Sequence, residues 1–351
     1  MIPLLHFFRL VMACVMTGVM AGPAAAADEA AGAGGPGLEA IRSAVGKSLP
    51  LLVKGAQGSM ENRPQCFTCH SQALPVLALT TARTRGFAVD AGMLRQQLEF
   101  TAGFLEKNRS RYLEGKGQGG QADTAGSALW TLENGGWKPD ATTAAVAAYL
   151  LVFDQDSGHW KPQSRRPPTE QSLFTSTHLA LRGLKTFGTT EQRGDIDRRF
   201  DRVRQWLLQS PAQDTEDRVS RLRALQVAGV PPEEVRRATR ELLQTQGADG
   251  GWAQQAAMAS DAYATGTALA ALHEAGGLAT GDPAYRKGML YLIAHQGADG
   301  SWHVPTRSEP IQSYYESGYP HGKDQFISIS AASWATTALA LALEVSPVKT
   351  E

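Results

Sequence analysis

Apolar residues return at helical spacing along nearly the whole chain, and the helices they predict are of two kinds. One kind is charged along one side, as in residues 196–209 (IDRRFDRVRQWLLQ), 233–243 (EEVRRATRELL) and 282–295 (DPAYRKGMLYLIAH). A single apolar stripe on a charged helix predicts an outer, half-solvated position. The other kind is rich in Ala, Leu, Ser and Thr with little charge, as in residues 123–132 (DTAGSALWTL), 172–184, 261–272 and 328–343. A helix that is apolar all round has to be buried, so these are expected inside.

Taken as pairs, outer then inner, the helices make six units, with inner helices starting near Ser71, Gln121, Ser172, Thr215, Asp261 and Ser328. The first outer helix is expected over residues 38–53. The period is about 43 to 51 residues until the last unit, which carries a long insertion at 302–325. This in-out alternation predicts an all-α fold, an (α/α)6 toroid of helical hairpins whose inner helices surround a central cavity. The rival is an open superhelix of the same hairpins.

Composition narrows the class. With 42% hydrophobic positions in 351 residues the chain can bury a substantial core, and 34 Lys+Arg against 34 Asp+Glu leave no bulk charge to attract nucleic acid or an acidic membrane. The 36 glycines have no three-residue period, which excludes collagen. At the N-terminus, His6 and Arg9 precede an apolar run over 10–22 and the small-residue site Ala25-Ala26-Ala27. That order predicts a Sec-type signal peptide over 1–27, cleaved near Ala27, and a toroid domain over 28–351 in the periplasm or secreted. The apolar run is shorter than the roughly 20 residues a spanning helix needs, so no integral membrane span is expected after cleavage.

Cleavage removes Cys14 and leaves two cysteines, Cys66 and Cys69, both inside Cys66-Phe-Thr-Cys69-His70. Two thiols one helical turn apart can form thioethers with the vinyl groups of a haem, while the adjacent imidazole ligates iron. One covalent haem c, with His70 as proximal ligand, is therefore the expected cofactor. A redox disulfide or half of a zinc site are the alternatives, but no second Cys pair and no βαβ pattern accompany the motif. A sixth iron ligand would come from His321 or Met93, with His303, Met60 and His178 as further candidates. His178 on an apolar face otherwise reads as a core histidine, and Met93 as packing.

The motif lies between the first outer and inner helices, and the 302–325 insertion occupies the same kind of connection in the last unit. In a closed ring the two share a rim. His303, Arg307, Tyr314, Tyr315, Glu316, His321, Lys323 and Asp324 are thus expected near the haem edge, with Arg307 available to a haem propionate or an anionic ligand. Arg165 and Arg166 read as solvated loop charges. Asp123 and Asp261 open inner helices on that rim, as N-caps or as acids facing the cavity. With Glu316 they are the candidate acid-base residues.

The turns carry a family signature. Gln246-Gly-Ala-Asp249-Gly250-Gly-Trp252 and Gln296-Gly-Ala-Asp299-Gly300-Ser-Trp302 resemble the QxxDGxW motif of the prenyltransferase and squalene-cyclase repeat superfamily, with Asp154-Gln-Asp156-Ser-Gly158-His-Trp160 as a degenerate copy. The resemblance covers most of the chain and implies an α/α toroid. The CxxCH with Ser-Gln-Ala-Leu-Pro after it, and the segment Tyr314 to Gln325, are similar to exported bacterial cyclase-like proteins bearing a haem-attachment motif. The DxDD acid motif of class II terpene cyclases is absent, and aromatic residues make up only 7% of the chain, which disfavours squalene-type cyclisation.

Three functions are therefore expected in turn. The first is a c-type haem protein for electron transfer, or for haem-dependent oxidation of a small molecule held in the cavity, with a redox partner protein. The second is a haem-independent terpene-cyclase-like or lyase- or hydrolase-like enzyme using cavity carboxylates. The third is a non-catalytic ligand-binding toroid with a CxxC disulfide.

Overall fold

The computed structural model describes residues 35–310 and 313–346. The expected signal segment, 1–27, lies outside them. The chain from Gly35 onward forms one compact unit.

Six inner helices line its centre: α2 (Leu74–Thr84), α5 (Gln121–Asn134), α7 (Leu173–Phe187), α9 (Thr215–Ala228), α11 (Ala262–Glu274) and α13 (Gln325–Leu341). Outside them lie α1 (Leu38–Asn62), α3 (Ala91–Glu106), α6 (Ala141–Val152), α8 (Arg193–Gln209), α10 (Pro232–Leu243) and α12 (Pro283–Ala294), with the single turn α4 (Arg109–Leu113) between α3 and α5. Each inner helix packs on the next, α2 on α5, α5 on α7, α7 on α9, α9 on α11 and α11 on α13. α13 then returns to α2 and α1, so the ring is closed and the open superhelix is excluded. The only strands among the described residues are β1 (Trp252–Ala253) and β2 (Ser260–Asp261), a two-residue antiparallel pair leading into α11.

Local chemistry explains the helix starts. Ser172, Asp214 and Asp261 accept from backbone amides of the first turns of α7, α9 and α11, satisfying donors that have no partner within the helix. All inner helices begin at one rim, so their positive dipole ends gather there.

The QxxDGxW turns fasten outer helices to one another. The indole Nε1 of Trp252, Trp302 and Trp160 donates to the carbonyl of Leu242, Leu292 and Leu150, at 3.0, 2.8 and 2.9 Å. The freed carbonyl of the ending helix is thus met by Trp rather than by Gln. Gln246 instead reaches forward to Ala284 O of α12 at 2.8 Å, and Gln296 reaches Ala44 O of α1 at 2.8 Å, which stitches the last outer helix to the first. Gly300 sits at φ +91, and a Cβ there would lie 2.4 Å from Lys47 O. Gly300→Ala is therefore expected to cost about 2–3 kcal/mol, read as a lower urea midpoint at unchanged slope.

α1 runs to Asn62, well past residue 53, and carries Pro50 within it. Its extra turns are held by the 302–325 insertion. Tyr315 OH meets Ser59 Oγ at 3.0 Å, and Asn62 Nδ2 donates to Glu316 O at 2.9 Å. No described helix is long and apolar enough to cross a membrane.

Candidate active site

The CxxCH segment enters the ring through an irregular turn. Cys69–Ala73 is a π-helical turn that passes directly into α2. Pro75 has no N–H to offer Ser71 O, and the Leu74 N–H bonds Cys69 O instead, which widens the turn. Gln72 Oε1 accepts from Thr68 N at 2.6 Å and from Thr68 Oγ1 at 2.5 Å, and Thr68 Oγ1 in turn meets Ser59 Oγ at 3.1 Å. The turn is thus bolted to the end of α1.

Cys69 and His70 face the central cavity together with Asp123 and Glu170. The cavity measures about 70 Å³, so the space is narrow. Asp123 does not cap α5. It is the third residue of that helix, 6% exposed, and its carboxylate accepts from Ser176 Oγ and, at 3.2 Å, from Gln163 N. Burial raises its pKa to about 7; the bonds from Ser176 and Gln163 oppose that rise, and the Glu170 charge adds to it.

Glu170 comes from the loop between α6 and α7. Arg166 donates to it through Nε at 2.8 Å and through Nη2, and Ser164 Oγ donates to it as well. The Cys69 thiol points at Glu170 Oε1 at 3.4 Å. Burial, and after it the Glu170 charge, holds that thiol well above its ordinary range. A thiol so placed is a poor nucleophile until the cluster changes charge. Cys66 and Cys69 are both unpaired. Beside them His70 packs on Phe326 at 4.9 Å between ring centroids. The residue keeps part of its surface exposed, yet Nε2 is buried without a hydrogen-bond partner. Burial, reinforced by Arg166 and Arg63, lowers its pKa to about 3 and leaves the imidazole neutral. Two unpaired thiols and a neutral, unpartnered ring nitrogen are donors of the type that a covalently attached haem uses, so the residues fit that group. Among the described residues no group of three or more His, Cys, Asp or Glu side chains is arranged to hold a metal ion.

Deeper in the cavity stand Trp130, His178, Arg223 and Trp334, with Glu216 and Tyr263 above them. Glu216 accepts from Thr175 Oγ1 at 2.6 Å and from Tyr263 OH at 2.9 Å, and burial raises its pKa. His178 is held neutral by burial and by the Arg182 and Arg223 charges.

Of the remaining nominated residues, Asp261, Arg307, Glu316 and His321 lie around the rim, outside the cavity wall. Asp261 caps α11, accepting from Ala264 N at 2.9 Å, and takes a second bond from Gln254 Nε2 at 2.9 Å. Arg307 donates to Gln254 Oε1 at 2.8 Å. Glu316 is exposed and accepts from Tyr314 OH. His321 stacks on His303 at 4.6 Å, where its Nε2 meets Ser301 Oγ at 2.9 Å and His303 Nε2 meets Asp324 at 2.9 Å. Met93 is packed in the core on α3. Neither His321 nor Met93 lines the cavity that His70 faces. The insertion does share the rim with CxxCH, and Ser308 Oγ reaches across to Pro167 O at 3.0 Å.

Arg166 is not the solvated loop charge expected from the sequence, because Glu170 pairs with it at the cavity, and Glu170 and Glu216 are site residues that sequence reasoning passed over. Glu216 had a signal, since it opens an inner helix just as Asp123 does. Arg166 and Glu170 sit on an irregular loop with no periodicity to reveal their pairing.

No family model matches the chain, and no curated protein does. Solved structures share its fold. The type II terpene cyclase MstE from Scytonema, in its apo form, superposes with TM-score 0.55 at 16% identity over 88% of this chain and 99% of that one. A glycosidase variant superposes with TM-score 0.59 at 12% identity, covering 88% of this chain and 98% of that one. A protein from Actinoplanes gives 0.55 at 16% identity over 86% and 99%. At these identities the likeness establishes the architecture, an α/α toroid.

Proposed function

We propose that the protein is an enzyme of proton transfer that works in the toroid cavity, with Asp123 giving or taking the proton on a small, largely apolar ligand. The observation that carries this reading is a buried carboxyl, facing a narrow cavity, whose pKa is raised to about 7. Such a group exchanges its proton near neutral pH, as a general acid or base requires. The Trp130 and Trp334 faces, the Leu74 side chain and the neutral His178 supply a mostly apolar surround. This supports an isomerisation, cyclisation or elimination begun by protonation. Neighbours of the same fold include a type II terpene cyclase and a glycosidase. The test is solvent-isotope transfer. Protein incubated in D2O with medium-chain unsaturated ketones, acids and terpenoids is expected to place deuterium on the ligand it binds, and binding without any deuterium uptake would count against the reading.

The buried, unpartnered Nε2 of His70 favours a second reading. In it Cys66 and Cys69 hold one haem c through thioethers, His70 ligates its iron, and the protein is exported to the periplasm or secreted, where a redox partner meets it. The haem would supply one-electron chemistry, for electron transfer or for oxidation of the cavity ligand. Protein matured with a c-type cytochrome assembly system should then keep haem on a denaturing gel and lose it in Cys66→Ala/Cys69→Ala. Colourless wild-type protein under those conditions would remove this reading and leave the first untouched.

A further inference from the structure

The deep end of the cavity carries donors with nothing to donate to. Trp130 and Trp334 are 5% and 4% exposed, and their ring centroids stand 5.9 Å apart. The Arg223 guanidinium carbon lies 4.3 Å from the centre of the Trp334 ring. The Nε1 of both indoles and the Nε of Arg223 are buried without a hydrogen-bond partner. These three groups can only donate, and leaving each unmet costs about 1–3 kcal/mol. The contrast with the other buried tryptophans is informative. Trp160, Trp252 and Trp302, which hold the turns together, each satisfy Nε1 on a backbone carbonyl, whereas the two tryptophans of the cavity wall do not.

Position gives the second part. Asp123 and Trp130 lie seven residues apart on α5, and Glu216 and Arg223 seven apart on α9. At 1.5 Å per residue the Cα atoms that carry these donors stand about 10 Å along the helix axes from those that carry the carboxyls. We propose that this deep end binds an acceptor oxygen, that of a carbonyl or a carboxylate, so that the cavity's ligand is an apolar body with such an oxygen at the end remote from its reacting end. The inference deepens the proton-transfer reading by naming its substrate class, but the binding itself does not depend on what Asp123 does.

The experiment uses the full chain with 15N-labelled indoles. Its seven tryptophans give seven Nε1–H signals, assigned with Trp130→Phe and Trp334→Phe. Three probes of similar size are titrated: cyclohexanone, cyclohexanecarboxylate and methylcyclohexane. An oxygenated probe is expected to move the Trp130 and Trp334 signals downfield while those of Trp160, Trp252 and Trp302 stay in place, which also reports that the variants are folded. Each Trp→Phe change should weaken that probe by about 3–10-fold and leave methylcyclohexane unaffected. Whichever of cyclohexanone and cyclohexanecarboxylate binds tighter identifies the oxygen. Methylcyclohexane binding as tightly as both, or oxygenated probes binding with neither indole signal displaced, would overturn the proposal. The same titration of Asp123→Asn separates the two ideas: indole shifts that persist there support the oxygen site, even if that variant keeps its turnover and so removes the acid-base role.

Discussion

Arg199→Met is expected to lower the unfolding free energy by about 3–5 kcal/mol, while Arg202→Met, three positions along the same helix and in solvent, changes it by about 0.5 kcal/mol or less. Arg199 is fully buried on α8 with 0% exposure. Its guanidinium donates to the carbonyls of Gln155 at 2.9 Å and Ser157 at 2.5 Å, and more weakly to those of Phe153 and His159. It also lies 4.0 Å over the Trp160 ring. Charge-assisted bonds of this kind contribute about 1.5–3 kcal/mol, and a desolvated cation on an indole about 2 kcal/mol more. Methionine keeps the bulk and loses both. Urea titration should show the loss as a shifted midpoint at constant slope. The loop that Arg199 pins leads on to Arg166 and Glu170, so the change should also loosen the carboxylate beside Cys69. Faster proteolysis between residues 153 and 172 would register that.

Arg199 shows where sequence reading stops short. Residues 196–209 contain Arg198, Arg199, Arg202 and Arg204, and a charged helix of that composition reads as half-solvated. The helix is on the outside of the ring, as expected. Yet Ile196, Arg199, Phe200, Val203 and Leu207 form its buried stripe, and position 199 belongs to that stripe by periodicity alone. Charge outweighed spacing in the reading. The degenerate third turn was the other hint. It lacks the Gln that ties the intact turns to a neighbouring helix, and Arg199 supplies that tie from the neighbour's side.

The ring was legible because in-out alternation is a burial pattern, and burial is what periodicity reports. Every inner helix begins within a few residues of its expected start. The end of α1 was not legible, and Gly55 and Gly58 lie just past its expected end at residue 53. In the structure a Cβ at Gly58 would lie 2.2 Å from Ser317 O. Glycine is there to admit the insertion, and a partner from the far end of the chain leaves no local trace. The site follows the same division. Cys69, His70 and Asp123, which line the cavity, were named from motif and helix position, whereas Glu170 reaches them from a loop whose course only the closed ring determines. Asp123 and Asp261 looked alike in sequence, each at the start of an inner helix. Three residues of offset, the third helical position against the cap position, turn one toward the cavity and make the other a cap.

Asp123→Asn should separate function from stability. As the proton donor or acceptor of the proposed reaction, its loss is expected to lower turnover by about 10²–10⁴-fold. Stability should move the other way. Its pKa is raised from 3.8 to about 7 by burial, so between those values the folded protein binds more protons than the unfolded chain, and stability falls as pH rises. The fall starts near pH 4, ends near pH 7 and amounts to something on the order of 4 kcal/mol. Asparagine does not titrate and still offers Ser176 an acceptor, but it cannot serve Gln163 at the same time, a loss of about 1 kcal/mol. Above pH 7 the variant should therefore be about 2–3 kcal/mol more stable than the wild type. Near pH 4 that advantage should vanish. Urea midpoints of the two proteins at several pH values would show it as curves that separate with rising pH. Parallel curves would mean that the carboxyl ionises as an ordinary aspartate, and the acid role would go with it. A residue that weakens the fold at neutral pH, yet whose removal abolishes turnover, is what a catalytic acid buried in a scaffold of this kind has to be.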